Sequence, residues 1–195
     1  MARAWQRMLS GRRLDLLDPS PLDIEIEDIA HGLARVARWN GQTKGDHAFS
    51  VAQHCLLVEA IFAHTHKSVD KPPRLVALLH DAAEYVVGDM ISPFKAALGM
   101  DYKSFELHLM AAVHVRFGLP VATKATLEFE IKQADKVAAY LEATQLAGFS
   151  VDEAERFFGR PQGLSGAGFE KFLDLKAMPA VDAKAAYLSR FVELA

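Results

Sequence analysis

Through most of this chain apolar residues recur at the 3.6-residue spacing that turns one stripe of a helix towards a core. Ile29, Leu33 and Val36 predict a helix over about 28–38, closed by the polar turn Trp39-Asn40-Gly41. Val51, Cys55, Val58 and Phe62, with Ala52, Leu56 and Ala60 beside them, predict a second helix over 51–64. Ser50 stands as its N-cap, and Gln53 is expected to reach back and complete a capping box. From 74 to 88, Leu75, Val76, Leu78, Leu79, Ala82, Ala83 and Val86 make the segment apolar nearly all round, as in a helix buried among others. Pro72 and Pro73 mark its start and Gly88 its stop.

Later segments follow the same rule. Phe105, Leu109, Ala112, Val113 and Phe117 predict a helix capped by Asp101 and closed by Gly118 and Pro120. Leu127, Ile131, Ala134, Ala138 and Leu141 predict a long one over 124–147, and weaker amphipathic patterns predict helices at 169–177 and 181–194. A short turn is expected at 94–98. Leu22 to Ile26 alternates and is compatible with a short strand. The Gly-rich run 159–168 reads as a connector, since it lacks the order of a phosphate loop. Helix after helix with short connections predicts an all-α fold in one domain: an arm over 1–27, a core over 28–148, and C-terminal helices over 149–195 packed on that core.

Composition narrows the function. At 195 residues the chain is long enough to bury about 70% of its unfolded surface and hold a site out of water. A formal net charge of −3 argues against a duplex nucleic acid partner. No apolar run approaches the ~20 residues of a membrane span, and the opening lacks the apolar stretch of a signal peptide. The lone Cys55 cannot form an internal disulfide, so a cytoplasmic location is expected.

Candidate chemistry gathers in HDAAEYVVGD, residues 80–89. If the segment is one helix, His80 and Glu84 are four apart and Asp81 and Glu84 three apart, so their side chains share a patch. A His-Asp pair among apolar residues needs a compensating partner, and a divalent metal is a common one. A hydrogen-bonded pair satisfied inside the core, with Glu84 in solvent, is the other reading of the same residues. His54 is either a core histidine or a ligand. Asp135, at the edge of an apolar face between Lys132 and Lys136, is either solvated or turned inward to meet a cation. Arg38 and Trp39 read on composition as a surface charge and a half-buried aromatic ring.

The order of His54, His80-Asp81 and a late Asp135, with Glu84 and Asp89 five apart, resembles the metal-binding signature of the HD-domain phosphohydrolases. The likeness runs from about residue 28 to 145 and is tightest at RWNG (38–41), SVAQH (50–54), LLHDAAEYVVGDMISPFK (78–95) and ADKVAAYLEA (134–143). Within that superfamily it is most similar to the bacterial 5′-deoxynucleotidases. The resemblance implies an HD-domain helical bundle that hydrolyses (deoxy)nucleoside 5′-monophosphates to nucleoside and phosphate with a metal-activated water. It implies one divalent transition metal (Co, Mn, Zn, Fe or Ni) on His54, His80, Asp81 and Asp135, a donor set that suits these ions. Glu84 and Asp89 would be the catalytic carboxylates, Arg38 the phosphate clamp and Trp39 a wall against the deoxyribose. A homodimer is expected by the same analogy.

The chain departs from the deoxynucleotidases at GQTKGDHAF (41–49), at Gln53, and in both terminal regions. Hydrolysis of another nucleotide phosphoester or pyrophosphate is the alternative activity, and a non-catalytic nucleotide sensor is the alternative of another class. Against an alarmone hydrolase, Glu84 is followed by Tyr85 rather than a second acid. Against a two-metal cyclic phosphodiesterase, the remaining histidines form no second ligand set at helical spacing.

Overall fold

The computed structural model describes residues 4–89, 100–162 and 170–195. The turn expected at 94–98 and most of the connector at 159–168 lie outside them. The fold is all-α, with a single two-stranded sheet among the described residues. In that hairpin β1 (Trp5–Arg7) pairs antiparallel with β2 (Arg13–Asp15). The arm is therefore structured: Met8 and Leu14 enter the core, and Asp28 accepts from the Ser10 backbone N–H at 2.9 Å and from its hydroxyl at 2.5 Å. Instead of a strand, Pro21–Asp23 forms a 3-10 turn capped by Ser20.

Helix α1 (Ile26–Leu33) is shorter than expected. The chain leaves it in a turn at Ala34 and Arg35, and the extended Ala37 pairs with Ser50 in an isolated antiparallel bridge. Arg38 N–H donates to Phe49 O and Val51 N–H to Val36 O, so the loop 38–49 starts and ends at one place. That place is the start of α2 (Val51–Thr65), the central helix, around which α3 (Lys71–Leu78), α6 (Ala125–Gln145) and α8 (Ala180–Leu194) pack. Ten of its fifteen residues are buried, His54 and Glu59 among them.

The segment 74–88 is not one helix. α3 ends at Leu78, residues 79–83 make tight turns, and α4 (Glu84–Val87) resumes before Gly88, whose φ of 76° stops it. The apolar pattern concealed this break, because both halves and the turn between them are buried. Gly32 of α1 lies against α4 so closely that a Cβ there would come within 2.8 Å of Tyr85 Cβ.

Beyond these lie α5 (Met100–Arg116) and α7 (Val151–Phe158). α7 was not among the expected helices, although Ser150 and Glu153 form a full capping box at its start. The helix expected at 169–177 is only a 3-10 turn at Glu170–Phe172 followed by irregular chain. Two side-chain amides hold that strap. Gln145 Nε2 donates to Phe172 O and its Oε1 accepts from Leu175 N–H. Gln53 Nε2 donates to Lys176 O and its Oε1 accepts from Met178 N–H. Backbone groups satisfied in this way have no need of a helix. Gln53 is thus unavailable for the expected capping box; Ser50 Oγ alone caps α2, accepting from Gln53 N–H at 3.3 Å.

One hydrophobic cluster runs from Met8 to Leu194, and no helix of the described residues is long and apolar enough to cross a membrane.

Candidate metal centre

Three elements converge on one point. His54 lies one turn inside α2, His80 and Asp81 in the turn between α3 and α4, and Asp135 midway along α6. His54 Nε2 is 3.5 Å from Asp81 Oδ2 and 3.3 Å from Asp135 Oδ1, and His80 Nε2 is 3.2 Å from Asp81 Oδ2. The two imidazole centroids are 5.3 Å apart. Donor atoms of His54, His80 and Asp81 all lie within 4.8 Å of one another, a possible metal-binding group. The break after Leu78 makes this possible: it turns the His-Asp pair towards α2 and α6 rather than leaving it on a helix face.

The protons on the two rings are set from behind. His80 Nδ1 faces Ala77 O at 2.9 Å, and a carbonyl only accepts, so Nδ1 carries the hydrogen. His54 Nδ1 faces Glu142 Oε1 at 2.6 Å. Glu142 is fully buried, which opposes its ionisation, but His54 and Arg38 hold its carboxyl below the ordinary range; the carboxylate therefore accepts from Nδ1–H. Both Nε2 atoms are left buried without a hydrogen-bond partner. Orphaned nitrogens in a water-poor site are costly unless a cation takes their lone pairs. Two imidazole nitrogens and two carboxylates thus fit a divalent ion.

The electrostatics agree. Burial lowers the His54 pKa and Arg38 lowers it too, yet Glu142, Asp135 and Asp81 together hold it well above the ordinary imidazole value. At His80, Asp81 likewise outweighs burial. Burial opposes charge on Asp81, but His80 and His54 keep its carboxyl well below the usual range, and His54 lowers that of Asp135. The point where these groups meet attracts positive charge. The second oxygen of Asp135 accepts from Lys132 Nζ at 2.6 Å, so Asp135 both faces inward and keeps a lysine partner at the surface.

Arg38 and Trp39 occupy the turn that clips to the start of α2. Trp39 and Asn40 have φ of 57° and 50°, the left-handed region, at a cost of about 1–3 kcal/mol each. The turn brings Trp39 Nε1 to Glu142 Oε2 at 2.9 Å, with Arg38 Nε 3.4 Å from the same oxygen and Arg38 Nη1 3.2 Å from Asp89. The Trp39 ring rests against Phe149 and Phe158, with centroids 5.5 and 5.7 Å away. Arg38 is therefore a half-buried cation between two carboxylates rather than a surface charge. Glu84 is buried at the start of α4, and Asp89 follows the Gly88 stop as the partner of Arg38.

Sequence reasoning passed over Glu142, which links His54, Arg38 and Trp39 through its two oxygens. A signal was present: Glu142 lies seven residues after Asp135, two turns along the same side of α6, next to the core residues Leu141 and Ala143.

A cavity of about 470 Å³ opens beside the cluster, lined by His80, Asp81 and Asp135 and by residues of α5 and α6.

No family model matches the chain. A protein of Rhodobacter capsulatus described as uncharacterized is 58% identical over 190 residues, an alignment that covers 97% of this chain and 95% of that protein. With more than half the residues identical over almost the whole of both, the chain belongs to the same family as that Rhodobacter capsulatus protein.

Proposed function

We propose that this protein is a metal-dependent phosphohydrolase of the HD type that converts (deoxy)nucleoside 5′-monophosphates to nucleoside and phosphate. The observation behind the reading is the meeting of two orphaned imidazole Nε2 atoms with the carboxylates of Asp81 and Asp135 at the wall of a ligand-sized cavity. His54, His80, Asp81 and Asp135 would hold one divalent ion, and Co, Mn, Zn, Fe and Ni all suit this donor set. Such an ion supplies Lewis acidity that activates water near neutral pH and neutralises phosphoryl charge.

The roles of the other groups are carried over from the resemblance. Hydrolysis forms a bond from water oxygen to phosphorus and breaks the bond to the sugar O5′, which leaves with a proton. Glu84 or Asp89 delivers that proton or orients the water. Arg38 grips the phosphate; Glu142 and Asp89 hold its guanidinium in place for this. Trp39, fixed by Glu142 and two phenylalanines, serves as a rigid wall for the deoxyribose. The fully buried Cys55 suits a reducing compartment, so the reading includes a cytoplasmic enzyme, and a homodimer follows by analogy with the family it resembles.

The test is phosphate release from a panel of 5′-deoxy- and 5′-ribonucleoside monophosphates by metal-stripped protein resupplied with Co²⁺ or Mn²⁺, beside Asp135→Ala. Expected are turnover that requires metal, a loss of at least about a hundredfold in the variant, and a deoxy-to-ribo ratio that changes in Trp39→Ala. Metal binding with silence on every monophosphate overturns the substrate assignment in favour of another nucleotide or a sensor role. Failure to bind metal overturns the metal centre.

A further inference from the structure

From the other residues that line it, we propose that the cavity is a nucleoside subsite in which His114 accepts a hydrogen bond from a donor group of the nucleoside. The inference rests on the phosphohydrolase reading, since it places the remainder of a substrate whose phosphate sits at His80, Asp81 and Asp135. The volume of about 470 Å³ falls within the usual range of small-molecule pockets. Leu107 and Met110 of α5 and Ile131 of α6 provide apolar surface of the kind that packs on a planar ring. Beyond the metal ligands, the polar side chains that line it are His114, Thr123, Glu128 and Lys132.

His114 is the buried one, with 6% of its surface exposed. Its Nδ1 lies 2.9 Å from Pro120 O, a pure acceptor, so the hydrogen of the neutral ring sits on Nδ1 and Nε2 carries the lone pair. Burial also lowers the ring's pKa, although the Pro120 carbonyl and Glu128 work the other way; the neutral form is the one expected near pH 7. Nε2 is buried without a partner, on a residue that lines the cavity. No catalytic role uses this atom, and packing alone gives no reason to orphan an acceptor beside a cavity. Glu128 and Thr123 add further acceptor oxygens to the same lining, while Lys132 donates to Asp135. The complementary ligand presents N–H or O–H groups, and a nucleoside has both: the 3′-hydroxyl of its sugar and the amino or imino group of its base.

The experiment is calorimetric binding of unphosphorylated 2′-deoxyadenosine to the full-length metal-loaded protein, which needs no turnover. The comparison set is His114→Phe, which keeps a planar ring but no acceptor, and Leu107→Trp, which narrows the cavity from a position exposed enough to leave the core intact. Both variants are expected to weaken binding, the first by about tenfold for one lost hydrogen bond to a buried group. Both should still hold as much metal per chain as wild type, read by elemental analysis, since neither side chain is among the proposed ligands.

Two analogues separate the possible donors: 2′,3′-dideoxyadenosine lacks the 3′-hydroxyl and purine 2′-deoxyriboside lacks the base amino group. The one that His114 reads binds wild type more weakly than the parent and binds His114→Phe no worse than the parent does. Absence of nucleoside binding in wild type overturns the subsite, as do parental affinity in both variants or equal loss of the parent and both analogues in His114→Phe. Nucleoside binding without phosphate release from any monophosphate supports the subsite and removes the phosphatase reading instead.

Discussion

Glu59 and Glu142 are both buried in this fold, and they are used in opposite ways. Glu59, 1% exposed on α2, is gripped by two arginines: Arg74 Nε reaches Oε1 at 2.7 Å, while Arg190 Nε and Nη2 reach Oε2 and Oε1 at 2.8 and 3.0 Å. The cluster ties α2 to α3 and α8, and Glu193 supplies Arg190 with a second carboxylate. Glu142, 0% exposed on α6, also has cationic or N–H partners on both oxygens, yet one of them, His54, passes the imbalance onward. Its far nitrogen stands unbonded among the carboxylates of Asp81 and Asp135. Burial of a charge is therefore a poor guide to function by itself. The telling feature is a chain of hydrogen bonds that ends on an unsatisfied atom among carboxylates.

The comparison can be broken most sharply at Glu59. Glu59→Ala leaves two arginines facing each other at the α2–α3–α8 junction. Removing one partner of a buried ion pair costs about 3 kcal/mol here, the low end of the range because each arginine side chain is about a quarter exposed. In a chain of this length that lowers the melting temperature by about 6–12 °C. Bound metal per chain, measured by elemental analysis after reloading, should not change. Metal loss in a folded Glu59→Ala protein would erase the distinction between the two clusters.

Glu142→Gln tests the other side. The amide cannot serve His54, Trp39 and Arg38 as the carboxylate does, because its nitrogen only donates. His54 loses the group that fixes its hydrogen on Nδ1, and metal affinity should fall by about 10–100-fold, the usual effect of removing a ligand's outer partner. A competition titration with a chromophoric chelator reads this directly. Thermal stability should fall less than in Glu59→Ala, since the substitution keeps the shape of the side chain. An unchanged affinity would reduce Glu142 to a packing residue.

The smallest effect belongs to a carboxylate outside both clusters. Glu25 accepts from Arg12 of the hairpin and Arg116 of α5, and these bonds lower its pKa from the ordinary value near 4.5. A lowered folded-state value means the contribution is complete above pH 4.5 and disappears as pH falls through the lowered value. Being mostly exposed, the pair is worth less than about 1 kcal/mol. Glu25→Gln should cost that much at pH 7 and progressively less as pH falls below 4.5, measured by urea denaturation. A larger cost at pH 7 would mean that surface pairs matter here as buried ones do.

Much of this was legible along the chain, because helices announce themselves locally. The stripe Val51, Cys55, Val58 and Phe62, the cap at Ser50, the prolines at 72 and 73 and the stop at Gly88 are one-dimensional signals, and each corresponds to an observed feature. So too the four residues expected as ligands: the structure brings His54, His80, Asp81 and Asp135 together. What periodicity could not show was the break after Leu78, since an apolar turn and an apolar helix look alike when both are buried. Nor could it show that Gln53 and Gln145 hold the backbone of 172–178 without a helix, a partnership across about 27 to 125 positions.

The amino-acid sequence by itself determined that the chain is helical and which residues carry its candidate chemistry, because periodicity, caps and residue type act over a few neighbours. Only the tertiary structure decided which atoms of those residues are spoken for. Glu142 and the Ala77 carbonyl take the Nδ1 hydrogens of His54 and His80, and the Pro120 carbonyl takes that of His114. Each leaves an Nε2 without a partner, and a lone pair's freedom depends on what folding places around it, which no local pattern encodes.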